Sequence, residues 1–284
     1  MTHRPSRPRL SDPAGQDVVE TALARAAARL DERLAAAFAI GSLAHGGFAP
    51  LVSDVDVALV VDRADDTAAA AIDAARRETI ERYADSPHHA LAARLSIFWS
   101  DWASLADGSE AGRFPATDRL DLLDSGVLLH GTDRRAGCAR PGHDELFLDS
   151  AAFAGTRFAV PAYLHTLRHP DELAAQGARA VTKAVLFPVR LLYTAATGLL
   201  GRNDDAAGWY TAPPQPSSGL VGAAARWRSD GIDDAAAAAG LLRRELLPLY
   251  LHCLGRLRDH TARSSRPELA APLTRLLAAL GSPA

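Results

Sequence analysis

Lysine is almost missing from this chain. Of its 31 basic residues only Lys183 is not arginine, and 34 acidic residues bring the formal net charge to −3. That balance gives no electrostatic footprint for nucleic acid, which calls for a basic stripe. Cysteine is nearly absent too: Cys138 and Cys253 are isolated and have no paired metal spacing. A disulfide framework is thereby excluded, and a reducing cytoplasm is the expected setting, with a single disulfide as the lesser alternative. No apolar stretch approaches the length of a membrane span, and the N-terminus lacks a secretory apolar core, so neither membrane nor export is expected. What is present is ordinary globular material, 48% hydrophobic and 23% charged over 284 residues, enough for one large domain or two smaller ones. The Ala and Arg bias marks a GC-rich coding sequence rather than an activity.

The most informative stretch runs from Gly41 to Asp56: Gly-Ser-Leu-Ala-His-Gly-Gly-Phe-Ala-Pro-Leu-Val-Ser-Asp-Val-Asp. An apolar run, Ala35 to Ile40, leads into it as a short buried strand, and Val57 to Val61 continues it as a second. In a strand, residues two apart share a face, so Asp54 and Asp56 project together while Val55 and Val57 face the opposite layer. Two adjacent carboxylates repel, and a hard divalent cation such as Mg²⁺, shared with substrate phosphates, resolves that repulsion. Gly41 allows the backbone to approach a ligand, and Ser42 offers a hydroxyl and an N–H at a helix start suited to a phosphate. Together these residues read as a nucleoside-triphosphate site.

The segment resembles the Gly-Ser … Asp-x-Asp signature of the polymerase-beta-like nucleotidyltransferases. It is most similar to the branch that adenylylates aminoglycosides such as streptomycin and spectinomycin, with one extra residue after Pro50. The resemblance implies an α+β fold: an N-terminal nucleotidyltransferase domain with a mixed sheet flanked by helices, then a C-terminal helical bundle. It also implies ATP as co-substrate and a small-molecule acceptor.

The rest of the chain organises in the same way. Residues 1–15, rich in Pro, Arg and Ser, read as a loose tail. The nucleotidyltransferase domain is expected over 16–144. It would carry helices over 16–37, 64–83 and 118–123, and further strands over 91–100 and 126–131. From 145 to 284 only helices are expected, over 147–166, 171–200, 223–227, 233–260 and 267–280, separated by Pro, Gly and Ser clusters.

A second stretch, Lys183 to Gly198 and then Asp204 to Trp209, resembles the helix and Thr-Gly … Asp-x-Ala-Ala-x-Trp segment of the same enzymes. Arg190, Tyr193, Thr197 and Gly198 match. By that resemblance Lys183 and Arg190 are nucleotide-binding candidates, Lys183 for the phosphates. A plain surface lysine and an arginine paired with a bundle carboxylate are the competing readings. One departure stands out. The family's third carboxylate, a metal ligand or base, falls on Arg94 or Ser96 here, and neither takes a proton from a hydroxyl in the usual way. Asp101 would have to curl back to replace it. Either a base comes from elsewhere, or an acidic nucleophile needs none, or activity has been lost. The acids that hold polycationic acceptors in the family are also missing around Ala180, Val181 and Thr182.

Other candidates carry less. His165 and His169 have a metal-capable spacing, but Pro170 is expected to break the helix before Glu172, leaving a helix-end histidine pair. His88 and His89 read as solvated. His45 is either near phosphates or packing its loop, and Trp99 and Trp102 are core or acceptor-pocket aromatics. The expectation is therefore a cytoplasmic, Mg²⁺-dependent nucleotidyltransferase, monomeric or homodimeric, moving AMP from ATP to a hydroxyl of an aminoglycoside-like molecule. The alternatives are a degenerate fold that binds a nucleotide or small molecule without transfer, one recruited to other chemistry, and a protein-modifying transferase with a cognate partner.

Overall fold

A computed structural model of the chain describes residues 9–281, so part of the expected tail lies outside the described residues. By Leu10 the chain is already packed: Leu10 is buried and its N–H donates to Gln16 Oε1 at 3.1 Å. Asp12 then caps helix α1 (Pro13–Leu30), accepting from the Gly15 N–H at 2.7 Å. The helix expected over 16–37 ends at Leu30, where Asp31 takes a positive φ of 49°. The stretch after it, Leu34–Ile40, is strand β1. Its run of alanines reads as helix or strand alike, and pairing inside a sheet decides the matter.

Contacts divide the chain into two compact units, Met1–Pro141 and Gly142–Ala284. After β1 the first unit continues through α2 (Gly41–His45), β2 (Val55–Val61), α3 (Asp66–Arg82), α4 (His89–Ala92) and β3 (Leu95–Asp101). It closes with α5 (Trp102–Asp107), α6 (Ala116–Ser125) and β4 (Val127–Gly131). The four strands form one mixed sheet in the order β3-β2-β1-β4, with β2 and β3 parallel and the other two pairs antiparallel. Strands β1 and β2 are buried on both faces, which is why both read as continuous apolar runs. On one face Val55, Val57, Leu59 and Val61 join Val18, Val19 and Ala22 of α1 and Ile72 of α3. On the other, Phe38, Ile40, Ala58 and Val60 meet Leu105 of α5 and Leu122 of α6. The strand expected over 91–100 starts only at Leu95. The Ala-rich residues before it, good helix formers, close the short helix α4 instead.

The second unit is all helix: α7 (His143–Arg157), α8 (Pro161–Arg168), α9 (Pro170–Ala175), α10 (Ala178–Thr197), α11 (Asn203–Thr211), α12 (Ser218–Asp230), α13 (Ala235–Thr261) and α14 (Ala270–Gly281). Two helices expected as continuous are broken. Val160 before Pro161 is held extended, separating α7 from α8. Gly177, with φ +86°, separates α9 from α10. Pro188 and Pro248, by contrast, lie inside α10 and α13, where tertiary burial overrides their helix-breaking tendency. Helix α11 was not expected at all. Val181, Val185, Val189 and Leu192 of α10 share one core with Leu242, Leu246, Leu249 and Tyr250 of α13.

The break at Pro170 does occur, but it does not take Glu172 away. His165 Nε2 lies 3.0 Å from Glu172 Oε2, so the expected lone histidine pair is a cluster of three. Both cysteines are free, and burial pushes the Cys253 thiol up to about 12, which makes it inert. Among the described residues no helix is long and apolar enough to cross a membrane.

Candidate active site

The turn from β1 into α2 is made by Gly41, at φ +68°. A side chain is excluded there twice over. A Cβ would require left-handed strain, and it would lie 2.6 Å from Asp56 Oδ2. The register explains the approach, because Ile40 pairs with Asp56 across β1 and β2. The Gly41 N–H is in turn held at 2.7 Å by Asp121 Oδ2, a buried carboxylate from α6 that also accepts from the Ser125 hydroxyl. Such charge-assisted bonds fix a turn strongly. Asp121 was missed from sequence. Its only signal was an acid lying between Leu120 and Leu122 in a helix that packs on the sheet.

Asp56 lies in β2 and Asp54 just ahead of it; both are half-buried, whereas Val55 and Val57 on either side are buried beneath α1 and α3. The alternation puts the two carboxylates on the face of the sheet away from those helices. The loop before them is stapled. The Ser53 hydroxyl accepts from the Ala49 N–H at 2.9 Å, and the Ser53 N–H donates back to the Ala49 carbonyl at 2.8 Å. His45 Nδ1 accepts from the Gly47 N–H at 3.3 Å, a contact within the loop. Ser42 is the second residue of α2, directly after Gly41.

Parallel pairing sets Ser96 beside Asp56, and the Val55 N–H donates to the Arg94 carbonyl at 3.3 Å, so Arg94 lies next to Asp54. The Arg94 guanidinium donates to the carbonyls of Pro50 and Ser53, at 3.0 and 3.2 Å, and so ties the start of β3 to the loop that delivers Asp54. Asp101 does not curl back. It pairs with Val61 at the far end of β3 and caps α5, accepting from the N–H groups of Ser104 and Ala64 at 2.8 and 3.0 Å. Burial disfavours its charge, but the backbone donors outweigh burial and hold the carboxyl below the usual carboxylate range. Trp99 and Trp102 are partly buried on the two cores, Trp102 edge-on to Phe38 at 6.3 Å. His88 and His89 are exposed where α4 begins.

Asp54 and Asp56 offer the hard oxygen donors that Mg²⁺ takes, leaving the remaining positions for phosphate oxygens and water. Among the described residues, no third His, Cys, Asp or Glu joins them within 4.8 Å.

In the second unit Lys183 is exposed on α10. Arg190, two turns along, donates from Nε to the Gly201 carbonyl at 2.5 Å. Its neighbours in the motif have structural work. Gly198 ends α10 at φ +69°, and the Thr197 hydroxyl donates to the Tyr193 carbonyl at 2.8 Å. Tyr193 meets Trp209 edge-on at 5.7 Å, and Asp204 accepts from the buried Arg228 at 2.6 Å.

Compared with solved structures, the chain matches spectinomycin adenyltransferase AAD(9) from Enterococcus faecialis, a crystal structure with ATP and spectinomycin. The TM-score is 0.52 and the identity 12%, over 94% of this chain and 99% of that one. The fold is that of an adenyltransferase. The adenyltransferase fold here is mixed α and β in its first unit and helical in its second, as the sequence led us to expect. No family model matches the sequence, and neither does any curated protein.

Proposed function

We propose that the chain is a nucleotidyltransferase that moves AMP from ATP onto a hydroxyl of a small molecule, with aminoglycoside-like compounds as the first acceptor class to test. The observation that carries this reading is the close approach of Asp56 to the backbone of Gly41, with Asp54 beside it on the same face. The adenyltransferase fold supports it, as do the ATP and spectinomycin held by the matching protein.

In this reading the first unit is the nucleotidyltransferase domain. Asp54 and Asp56 hold Mg²⁺, which would supply charge stabilisation at the transferring phosphoryl group. Ser42 and the N–H groups beside Gly41 bind the terminal phosphates. Lys183 and Arg190, both on α10, are the further candidates for nucleotide binding. The acceptor oxygen attacks the α-phosphorus, the bond from that phosphorus to the β-phosphate bridging oxygen breaks, and pyrophosphate leaves with that oxygen's electrons. The acceptor proton has no carboxylate waiting at the position of Arg94 or Ser96. It goes to solvent or to a base on the acceptor itself.

The lack of a carboxylate at Arg94 or Ser96 favours a second reading, binding of a nucleotide without transfer; the Arg94 guanidinium instead ties down the loop carbonyls. Titration with ATP and Mg²⁺, followed by pyrophosphate release over a panel of hydroxyl acceptors that includes spectinomycin, separates the two. Turnover supports transfer. Tight Mg²⁺-dependent binding with no turnover on any acceptor supports the second reading, and no nucleotide binding at all defeats both. Ser96→Asp adds a carboxylate beside Asp56 and should raise a weak parental rate, because a general base contributes about a hundredfold or more. Arg94→Glu tests the same idea but gives up the loop tether.

A further inference from the structure

We propose that His165, His169 and Glu172 form a binding site for a divalent transition metal, with Zn²⁺ the favoured ion. The site lies within the helical unit and uses none of the residues assigned to nucleotide transfer. Helix α8 ends at Arg168, His169 turns the chain at φ −120° and ψ 66°, and Pro170 starts α9. That corner folds Glu172 back over the two histidines. One ligand atom from each of the three lies within 4.8 Å of the other two, and among the described residues this is the one such set of three.

The hydrogen bonding prepares the donor atoms. His169 Nδ1 lies 2.8 Å from the His165 carbonyl, which can only accept, so Nδ1 carries the proton. In the neutral ring the lone pair is therefore on Nε2, and a backbone carbonyl behind the ring is the usual support of a metal-binding imidazole. The two rings lie side by side, with centroids 3.8 Å apart and planes 25° apart, so tilting them toward one ion needs little backbone movement. His165 Nε2 and Glu172 Oε2 are 3.0 Å apart. Ligand atoms on a tetrahedral zinc, with bonds of about 2.0–2.1 Å, are separated by roughly 3.3 Å. Small side-chain rotations would thus replace the shared proton with a metal ion.

The donor set decides the ion. Two imidazoles and one carboxylate suit zinc and its neighbours, whereas Mg²⁺ asks for an oxygen shell. The neighbouring charged side chains are engaged elsewhere. Asp171 is paired with Arg243, and Arg168 donates to the Ala279 carbonyl at 2.5 Å. All three side chains are exposed, so the fourth position stays open to water or to a donor from another molecule.

The test uses metal-free, untagged full-length protein. Zn²⁺ affinity is measured by competition with a chromophoric chelator, and geometry by the visible absorption of the Co²⁺ form. We expect one equivalent per chain, bound at micromolar affinity or tighter, with a tetrahedral Co²⁺ spectrum. His169→Ala and Glu172→Gln should each weaken binding by about tenfold or more, while a His88→Ala/His89→Ala double variant binds like the parent. Because the three side chains are exposed, circular dichroism should show the variants folded. A parent that takes up no Zn²⁺ below about 100 μM, or binding that survives both His165→Ala and His169→Ala unchanged, overturns the proposal and leaves an ordinary His–Glu hydrogen bond.

Discussion

Two stretches carry the resemblance to adenylyltransferases, and the structure uses them differently. In Gly41–Asp56 the backbone is bent so that side chains are offered outward: Gly41 makes room for the Asp56 carboxylate, and Arg94, Ser53 and His45 brace the loop. In the stretch from Lys183 to Trp209 most of the matching residues are turned inward, to a helix cap, an aromatic contact and the Asp204–Arg228 ion pair. A shared motif therefore makes a proposed binding surface in one case and mainly a folding unit in the other. The same distinction runs through the carboxylates of the first unit. Asp101 and Asp121 both accept from backbone N–H groups and so shape the fold, whereas Asp54 and Asp56 lie half-buried just before and within β2.

Replacing the outward pair should produce the largest effect. Asp54→Asn or Asp56→Asn keeps the shape but removes a charged ligand, so nucleotidyl transfer should fall on the order of a hundredfold or more. Mg²⁺-dependent ATP affinity should fall with it, while unfolding free energy changes by less than about 1 kcal/mol. Pyrophosphate release and calorimetry on the same samples check this, and near-parental turnover in both variants would refute the metal assignment.

Two glycine substitutions sharpen the contrast. Gly41→Ala forces a Cβ into a left-handed position and against Asp56, which should cost roughly 1–3 kcal/mol and displace a proposed ligand. Gly198→Ala carries left-handed strain as well, at φ +69°, and should cost roughly 1–2 kcal/mol, with its Cβ against the His143 side chain at 3.2 Å. Denaturant melts should show both losses, but only Gly41→Ala should weaken Mg²⁺–ATP binding. Equal effects on binding would erase the distinction between the two stretches.

Asp101 offers a smaller, pH-dependent test. Its carboxyl is held below the ordinary range in the folded chain, so its contribution is complete above the unfolded value, about 3.9, and is lost as pH falls through the folded value. Asp101→Asn keeps a capping oxygen but loses the charge, so it should lower stability near neutrality by about 0.3–1 kcal/mol, as for a charge at a helix N-terminus. The gap to the parent should narrow in acid. A gap that stays constant down to pH 2 would show that the charge of the cap contributes nothing.

The legible parts of this chain were those governed by short-range pattern. The strands Ala35–Ile40 and Val57–Val61 announced themselves by apolar runs, and Asp54 and Asp56 by their spacing. What was hidden depended on distant partners. Residues 34–37 read as helix until a sheet partner claimed them, and Asp121 is tied to Gly41 across 80 positions of sequence. Glu172 was dismissed because Pro170 breaks the helix. The break is real, but a corner can fold a side chain back as readily as it carries it away.

Lys183 gives the smallest expected effect and the most direct check on the inward stretch. It is exposed on α10, so Lys183→Met should change unfolding free energy by no more than about 0.5 kcal/mol. If its ammonium faces the polyphosphate in the bound complex, one solvated charge pair is worth about 1 kcal/mol, and ATP affinity should drop roughly fivefold. The loss should shrink at high salt, because exposed charges are screened. Lys183→Arg keeps the charge but spreads it over a planar fork, so it should recover part of the affinity and not all of it. Titration of the three proteins with ATP and Mg²⁺ at two ionic strengths decides the matter. If Lys183→Met binds as tightly as the parent at both, the lysine is a surface residue, and nucleotide recognition rests on the Gly41–Asp56 stretch alone.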